Sequence, residues 1–527
     1  MTSGTATPDR PGVRAGRDGF VRLLHAEWTK FRTVRGWVIA LVAAALVTAL
    51  LGLFSAQGSH SSCSNGPDEI ACPAVPVGPG GEAVDDRFSF VHRSLTGDGS
   101  ITVRLTSLTG IITYPPPDHD EIVPGVVPWA KAGVIVKDGT RPGSAYAALV
   151  LTGEHGVRMQ HDFTEDTAGR PGGASTASPR WLRLTRSGDT LTGDESSDGT
   201  HWTRVGTARL AGLRSTVQVG LLVTSPGDLT VKQGTLGGSV EQVRFTQATG
   251  VFDHVRVQGD TPGGAWSHGE VGATDMKTDW ERYHRPAGVD ESGGTFTVTG
   301  SGDIAPRGPG EGLRIENTLT GTFAGMIVLV IVAVLFITAE YRRGLIRTTL
   351  LAVPRRGRVL GAKAVVIGLV TFVAGLTAAV VAVPACTHIL RANGNYILPV
   401  TRLTELRVMA GTAALLAVAA VFALALGALF RRSVAAVTAA VVALVLPHVL
   451  ATASVLPEGA AQWLLRLTPA AAFAIQQSIP EYPQVAGHYV PQDGYYPLAP
   501  WAGLAVFCGY AALALGLAVF RLRRRDA

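Results

Sequence analysis

The stretch "AEYRRGLIRTTLLAVPRRGRVLGAK", residues 339–363, separates two long apolar runs and decides how the chain is interpreted. It holds six arginines, one lysine and a single carboxylate. A helix needs about 20 mostly apolar residues to cross a bilayer, and the short cytoplasmic loops between such helices are rich in lysine and arginine. The stretch is therefore typical of a cytoplasmic loop between two membrane-spanning helices.

Apolar runs of this kind occur at six places in the 527-residue chain, which is 46% hydrophobic and 16% charged. The predicted spans are 37–56, 323–339, 362–385, 408–430, 433–456 and 500–520. A cleaved signal peptide is an alternative for the first run. That run is longer than the ~7–15 residues of a signal-peptide core and follows a long polar leader, which favours a retained anchor.

The positions of lysine and arginine predict the orientation. The basic segments are 10–35, 342–363, 431–432 and 521–525, and they lie on one side if every run spans. We therefore expect both termini in the cytoplasm, residues 57–316 outside and the chain in the plasma membrane. The net charge of +6 is modest and the cations cluster beside apolar runs, so the expected partner is the lipid bilayer and not a nucleic acid.

The chain divides into five predicted parts. They are a disordered cytoplasmic leader (1–20), an amphipathic helix with span 1 (21–56), an extracytoplasmic linker (57–85), an extracytoplasmic β-sandwich (86–306) and spans 2–6 (307–527). In the amphipathic helix, the helical spacing of Val21, Leu24, Trp28 and Phe31 predicts one apolar face that lies in the membrane interface, with Glu27 on another face.

Residues 86–306 change to a period of two. Ile101, Val103 and Leu105 alternate with polar residues, and turns are expected at 187–188 and 198–199. Many short strands with glycine-containing turns predict an antiparallel β-sandwich. The fold class is therefore a polytopic α-helical membrane protein with a large all-β domain inserted between spans 1 and 2.

The four cysteines fit this arrangement. Cys63 and Cys72 lie close together in the predicted external linker, where a disulfide bond is permitted and expected. Cys386 and Cys508 lie at or in spans, where inert buried thiols are expected.

Sequence motifs for catalysis are absent. There is no G-x-x-x-x-G-K-[ST] phosphate loop, no H-E-x-x-H zinc motif and no G-x-S-x-G nucleophile motif. We expect neither an enzyme nor a bound cofactor. Mid-span carboxylates, which an ion-coupled carrier usually needs, are also missing, which indicates a transporter driven from outside this chain.

The β-region offers two kinds of candidate site. Two acidic sets could form a calcium site or a glycosidase pair, but solvated loops and turns are favoured for both: Asp118, Asp120 and Glu121, and Asp194, Glu195 and Asp198. Three tryptophans could form an aromatic platform for a glycan, although tryptophans more often pack a core: Trp129, Trp181 and Trp202.

The basic stretch 339–363 also predicts a local structure. Pro354 should divide it into a short helix, 340–353, and a helix that continues into span 3. Arg342, Ile346 and Val353 share one arc of that short helix, so a cation interrupts its apolar face. Such a helix suits contact with a partner's carboxylates or with lipid phosphates.

Two stretches, "HAEWTKFRTVRGW" (25–37) and "ITAEYRRGLIRTTLLAVPRRGRVLGAK" (337–363), resemble the cytoplasmic signatures of ABC-2 type permeases. The resemblance implies docking on a separate cytoplasmic ABC ATPase that uses ATP, and pairing with a second permease copy, identical or paralogous. The residues expected to couple to the ATPase, from the resemblance and from the short helix, are Glu27, Trp28, Lys30, Glu340, Arg342, Arg343, Gly344, Arg347, Thr348, Thr349, Pro354, Arg355, Arg356 and Lys363.

The inserted domain is similar to another family. "PWAKAGVIVKDG", "WLRLTRSGDTLTG" and "SSDGTHWTRVG" look like parts of a concanavalin A-like lectin/glucanase sandwich. The resemblance implies a jelly-roll-like fold and contact with a cell-wall or extracellular glycan. It does not imply hydrolysis, because no catalytic carboxylate pair can be placed. The leading expectation is a permease subunit of an ATP-driven exporter; the alternative is a membrane-anchored glycan-binding receptor or sensor, and a tethered glycosidase comes third.

Overall fold

The computed structural model describes residues 18–65, 68–70, 74–114, 121–233, 239–262, 264–273, 287–345, 355–453, 455–487 and 489–524. Within these ranges, six helices are long and apolar enough to cross a membrane. Spans 1 to 6 are Arg35–Gly58, Thr322–Arg342, Arg356–Ala392, Arg402–Phe430, Ser433–Thr452 and Pro500–Arg524. The prediction of six spans is confirmed, and several of the helices extend beyond their predicted ends.

Spans 2 and 4 are the most buried of the six, and spans 1 and 5 are the most exposed. Small residues allow close approach where the helices meet. At Gly325 in span 2, for example, an added Cβ would lie 1.9 Å from Thr48 Oγ1 of span 1. Close packing of apolar side chains thus defines one membrane domain.

Two shorter helices accompany the spans. The amphipathic helix, Asp18–Thr33, precedes span 1, and Glu458–Leu467 lies between spans 5 and 6. A buried 3-10 helix, Pro469–Gln476, follows the second of these, and two more 3-10 helices are Ile315–Leu319 and Pro491–Asp493.

The segment between spans 1 and 2 is built from short and long strands. They are β1 (Cys63–Asn65), β2 (Asp68–Ile70), β3 (Val84–Asp86), β4 (Phe88–Thr113), β5 (Ile122–Pro124), β6 (Lys131–Lys137), β7 (Tyr146–Thr152), β8 (Val157–His161), β9 (Glu165–Ala168), β10 (Arg180–Ser187), β11 (Thr190–Ser196), β12 (Thr203–Arg209), β13 (Thr216–Thr224), β14 (Asp228–Gln233), β15 (Ser239–Asp260), β16 (Ser267–Val271), β17 (Gly288–Ser292), β18 (Thr295–Gly300) and β19 (Ile304–Pro306).

The strands form an antiparallel sandwich, as predicted. The main path is β12-β11-β10-β4-β13-β6-β7-β8-β9, and β15 pairs along β4 with irregularities of register. Strands β10 to β12 pack face to face on β6 to β9. Leu149, Leu182 and Leu191 meet in the core between these layers. Strands that alternate apolar and polar residues bury their apolar face between the two layers and leave the other face towards solvent.

Two buried lysines are a feature that the sequence pattern did not predict. Lys131 and Lys137 are the first and last residues of β6, and both are fully buried. Lys131 Nζ lies 2.6 Å from Asp303 Oδ1, and Lys137 Nζ lies 2.6 Å from Asp86 Oδ2. Burial of an ammonium group is tolerated only with such a partner.

The sandwich contacts one end of the membrane domain, and we call this end the sandwich side. The opposite end of the membrane domain is the far side. Gln484 Nε2, in the loop before span 6, donates hydrogen bonds to the carbonyl oxygens of Phe163 and Thr164. Cys63 is disulfide-bonded. Cys386 is free and buried, as expected, whereas Cys508 is free and exposed, so the expectation of a buried thiol was wrong for Cys508. Cys72 lies outside the described residues, so its pairing stays a prediction.

Candidate functional site

Four of the residues assigned to ATPase coupling meet at the far side of the membrane domain. Glu27 and Lys30 come from the amphipathic helix, Glu340 from the last turn of span 2 and Lys363 from the first turns of span 3. We call these four residues the far-side ion cluster. It joins three helices that are distant in sequence, since Glu27 and Lys363 are 336 positions apart.

Lys363 is the centre of the cluster. Its Nζ donates to Glu27 Oε2 at 2.6 Å and to Glu340 Oε1 at 2.6 Å. Lys30 Nζ donates to Glu27 Oε1 at 2.9 Å and to Glu340 Oε1 at 3.3 Å. Two ammonium groups therefore face two carboxylates, and the cluster is neutral.

Burial differs sharply among the four side chains. Lys363 is 0% exposed, Glu27 1% and Glu340 11%, whereas Lys30 is 43% exposed. Burial lowers the pKa of Lys30, but its hydrogen bonds to the two carboxylates outweigh this effect, and the pKa is raised above its ordinary value. Because three members are shielded from water, removal of one partner would leave an uncompensated buried charge.

Aromatic packing surrounds the cluster. Lys363 Nζ lies 4.9 Å from the ring centroid of Phe336, a distance at which the ring attracts a cation. Phe31 meets the same ring edge-on at 5.9 Å. Sequence reasoning missed Phe336, although an isolated lysine at the start of an apolar run is a signal that such a group has partners nearby.

The buried face of the amphipathic helix differs from the predicted one. Leu23, Glu27 and Phe31 are buried at positions i, i+4 and i+8, whereas Val21 and Trp28 are 66% and 42% exposed. The prediction placed Glu27 away from the apolar face and was wrong, because apolar periodicity gives no account of a carboxylate neutralised by a distant lysine. The outward Val21 and Trp28 suit the lipid interface.

The end of span 2 holds the next three expected residues. The helix continues through Glu340 to Arg342, so Glu340 belongs to span 2 instead of beginning a separate helix. The backbone N–H of Arg343 donates to the carbonyl of Ala339, and Gly344 has φ +67°, a left-handed conformation that ends a helix. Arg342, Arg343 and Gly344 are exposed.

The remaining part of the signature is described only from Arg355 onward. Residues 346–354, which include the expected Arg347, Thr348, Thr349 and Pro354, lie outside the described residues. Arg355 is exposed in front of span 3. Arg356 Nη1 donates to the carbonyl oxygen of Leu522 at 2.6 Å and so fastens span 3 to the end of span 6.

The arrangement at the far side is mechanical in character. It holds buried ion pairs and exposed arginines, and the described residues contain no group of three or more His, Cys, Asp or Glu side chains that could hold a metal ion. The ion pairs join the amphipathic helix to spans 2 and 3. The ATPase-coupling role of the signature residues stays a prediction.

The tryptophans of the sandwich do not form one surface. Trp129 is 7% exposed and stacks on His155 at 4.1 Å. Trp181 and Arg183 lie on the outer face of β10, where buried and less buried residues alternate. The Arg183 guanidinium lies 4.1 Å from the Trp202 ring centroid, so Trp181 and Trp202 share one face.

The acidic residues of the second predicted set are held by the protein itself. Asp194 and Glu195 lie in β11 and are buried, a correction to their predicted place around a turn. Asp194 pairs with Arg183 at 3.2 Å, and Glu195 Oε1 accepts the backbone N–H of Arg170 at 2.7 Å.

Asp198 fills the expected turn role. Hydrogen bonds from the backbone N–H groups of His201 and Thr200, and from the His201 side chain, hold the pKa of Asp198 well below its usual range. Asp118 and Asp120 of the first set lie outside the described residues. Glu121 lies just before β5 and is exposed.

Similarity to known proteins gives the family. The family described as "ABC-2 family transporter protein" matches residues 161–527, which include part of the sandwich and spans 2–6. No curated protein matches the chain.

Two solved structures resemble about two fifths of the chain. A functionally unknown protein from Saccharomyces cerevisiae is 14% identical with a TM-score of 0.22, and covers 39% of this chain and 93% of its own. A scytalido-glutamic peptidase with a transition-state analogue inhibitor is 9% identical with a TM-score of 0.25, and covers 41% of this chain and 98% of its own. These scores are too low to inform the fold or the chemistry.

The family match and the six spans agree. Membership implies a cytoplasmic ABC ATPase as partner and a role in transport that is not catalytic. The chain belongs to the ABC-2 transporter family, as a multi-pass membrane permease with an inserted β-sandwich.

Proposed function

We propose that this chain is the membrane subunit of an ATP-driven exporter in the plasma membrane. It pairs with a second permease copy, identical or paralogous, and with cytoplasmic ATPase subunits that use ATP. The far-side ion cluster is the observation that carries the proposal, because it ties the amphipathic helix to spans 2 and 3 through buried charges. In this arrangement the leader is 1–20, the anchor is 21–56 and the linker is 57–85. The external domain is 86–306 and the transport domain is 307–527.

The signature residues divide into two groups by burial. Arg342, Arg343 and Trp28 are exposed; the two arginines provide the surface that an ATPase contacts, and Trp28 lies in the lipid interface beside it. Glu27 and Lys363 are buried, and they pass the motion of that surface into the spans. Buried ion pairs suit this task, because displacing one partner without the other leaves an uncompensated charge.

The orientation follows from charge and from redox chemistry. The far side carries the arginine-rich ends and is cytoplasmic in this proposal, so both termini are cytoplasmic and the sandwich is extracytoplasmic. The disulfide bond of Cys63 supports this, because disulfides persist in oxidising compartments.

The sandwich is proposed to contact a cell-wall or extracellular glycan on the side where an exported substrate emerges. Trp181 and Trp202 on one outer face, with Arg104 5.8 Å from the Trp181 ring, offer stacking and hydrogen-bonding groups. The same face supports the alternative of a membrane-anchored glycan receptor. Six spans packed around a shared core are more than an anchor needs, which favours the permease.

The decisive experiment is co-purification of the chain with an ATPase subunit, followed by measurement of its ATP turnover. Arg343→Glu should change turnover several-fold, because it reverses the charge of an exposed signature residue. Arg209→Glu is the control, since Arg209 is an exposed arginine of β12 in the sandwich. Failure of any ATPase to associate with the chain would overturn the proposal.

A further inference from the structure

A cavity of about 460 Å³ lies between the first turns of span 4 and the loop before span 6. Its walls are Thr404 and Arg407 of span 4, residues 477–481 after the buried 3-10 helix, and residues 495–500 at the start of span 6. The same loop holds Gln484, which bonds to the sandwich, so the cavity is on the sandwich side. Its volume falls in the range of small-molecule sites, about 300–1,000 Å³.

The wall of the cavity is mainly apolar and carries two charges. The charged residues are Arg407 and Glu481. A mostly apolar lining with a few placed polar groups is the usual composition of a ligand site. The apolar part consists of Ile479, Pro480, Pro497, Leu498, Ala499 and Pro500.

The positive charge of Arg407 has no carboxylate in ion-pair contact among the described residues. Its Nη2 donates to the carbonyl oxygen of Gln477 at 2.7 Å. The nearby carboxylate of Glu316 accepts the backbone N–H of Ser478 at 3.3 Å and lies 3.6 Å from Arg314 Nε, so it has its own cation. A half-buried guanidinium without an anion favours a ligand that brings one.

A buried hydroxyl beside Arg407 is the second observation that points to a ligand. Ser478 lines the cavity, is 6% exposed, and its Oγ has no hydrogen-bond partner among the described residues. Buried polar groups normally have such a partner. Because Arg407 is hydrogen-bonded to Gln477, the residue before Ser478, the two donors are neighbours and suit one phosphate group.

The negative charge of Glu481 suits a cation in the same ligand. Glu481 is exposed, and its Oε2 accepts the hydroxyl of Tyr495, another lining residue, at 2.6 Å. A carboxylate has room for several hydrogen bonds, so Glu481 can also accept from an ammonium group. The cavity therefore offers separate partners for a phosphate and for an amine.

The surroundings of the cavity place it at the depth of lipid headgroups. Leu403 and Leu406 of span 4 are 79% and 58% exposed, and Trp501 of span 6 is 61% exposed. Arg407 lies five residues after the start of span 4, which is about 8 Å along the helix axis. Exposed leucines on a span face lipid, and tryptophan is enriched where the hydrocarbon meets the headgroups.

We propose that this cavity binds the headgroup of a phospholipid that carries both a phosphate and a primary ammonium group, as phosphatidylethanolamine does. The phosphate lies against Arg407 and Ser478, the ammonium group against Glu481, and the acyl chains along the exposed leucines of span 4. Phosphatidylglycerol offers Glu481 no cation, and the quaternary nitrogen of phosphatidylcholine has no N–H to donate. The inference does not depend on the transported substrate or on the ATPase.

Lipid titration of the full-length chain in detergent micelles tests the proposal, with bound lipids counted by native mass spectrometry. The probes are phosphatidylethanolamine, phosphatidylglycerol and phosphatidylcholine with identical oleoyl chains. We expect one phosphatidylethanolamine molecule per chain whose binding responds to changes in the cavity.

Two variants with matched controls make the test specific. Arg407→Gln should weaken phosphatidylethanolamine binding about ten-fold, because a charged donor is lost, whereas Arg402→Gln, at an exposed arginine of the same helix, should not. Glu481→Gln is at an exposed position and should leave the fold intact. It should weaken phosphatidylethanolamine several-fold and leave the other two lipids unchanged, and Glu154→Gln, at an exposed carboxylate of the sandwich, should affect none of them.

The proposal is overturned if Glu481→Gln leaves phosphatidylethanolamine binding unchanged, or if it weakens all three lipids equally. It is also overturned if water-soluble phosphoethanolamine, at the same concentration as the lipid, displaces it, because the ligand would then be a free zwitterion and not a lipid.

Discussion

Replacing Lys363 by methionine is the sharpest perturbation of the far-side ion cluster. Methionine keeps an unbranched, apolar side chain one atom shorter than lysine and removes the ammonium group that lies 2.6 Å from both Glu27 and Glu340. The carboxylates of Glu27 and Glu340 would then share Lys30, whose Nζ lies 2.9 Å from Glu27 Oε1 and 3.3 Å from Glu340 Oε1. Leaving one partner of a buried ion pair uncompensated costs about 3–5 kcal/mol.

The matched control is Lys30→Met in the same cluster. Lys30 is 43% exposed, so water replaces much of what is lost, and we expect a cost of about 1 kcal/mol or less. The assay is reversible unfolding in mixed micelles, followed by circular dichroism. Lys363→Met should also reduce the response of a bound ATPase to the permease, since the amphipathic helix loses its main attachment to span 3.

A double-mutant cycle separates the ion pair from other effects. Glu27→Gln and Lys363→Met should each be costly, and the pair of changes should cost clearly less than their sum, by about 0.5–3 kcal/mol. Strict additivity, or a cost for Lys363→Met no larger than that for Lys30→Met, would refute the view that Lys363 is a buried cross-link.

Three further predictions concern other parts of the molecule. Lys137→Met should lower the free energy of unfolding of the sandwich by about 3–5 kcal/mol, measured by thermal unfolding of the full chain, because Asp86 stays buried without its partner. Arg356→Ala should destabilise the chain by about 1.5–3 kcal/mol through loss of its charged hydrogen bond to span 6, whereas Arg355→Ala, at an exposed position, should stay within about 0.5 kcal/mol in the same unfolding assay. Burial and the neighbouring charge of Asp85 raise the pKa of Glu311 from 4.5 to about 8, so between these pH values the folded state holds a proton that the unfolded state releases. The free energy of unfolding should therefore fall as the pH rises from about 4.5 to about 8. Unfolding midpoints measured across this range should show the fall for the unaltered chain, and Glu311→Gln should lack the part of it that Glu311 causes.

The membrane helices could be predicted because their cause is local. A helix that crosses a bilayer must present about 20 apolar residues in sequence, so the run itself identifies the span. The sandwich was predictable for a similar reason, since one buried face forces an alternation such as Ile101, Val103 and Leu105. Turns at Gly188 and Gly199 followed from glycine's tolerance of positive φ, and both residues have it, with φ +59° and φ +77°.

The candidate site was only partly predictable. The signature residues were found as two separate stretches, and the sequence did not tell which of them face inward. Glu27 was assigned to a polar face, yet it is 1% exposed, because its charge is met by Lys363. A cavity of about 410 Å³ that Asp303, Glu311 and Ala486 line had no sequence signal, since its walls come from segments far apart in the chain.

The sequence by itself determined the elements: six spans, an inserted antiparallel sandwich and two basic signatures at one end. Tertiary structure alone decided the pairings, such as Glu27 with Lys363 and Lys137 with Asp86. The physical reason is the separation along the chain of the residues that each effect joins. Apolar periodicity acts over neighbouring residues, whereas a buried charge is stable only beside a partner that the folded chain brings from elsewhere.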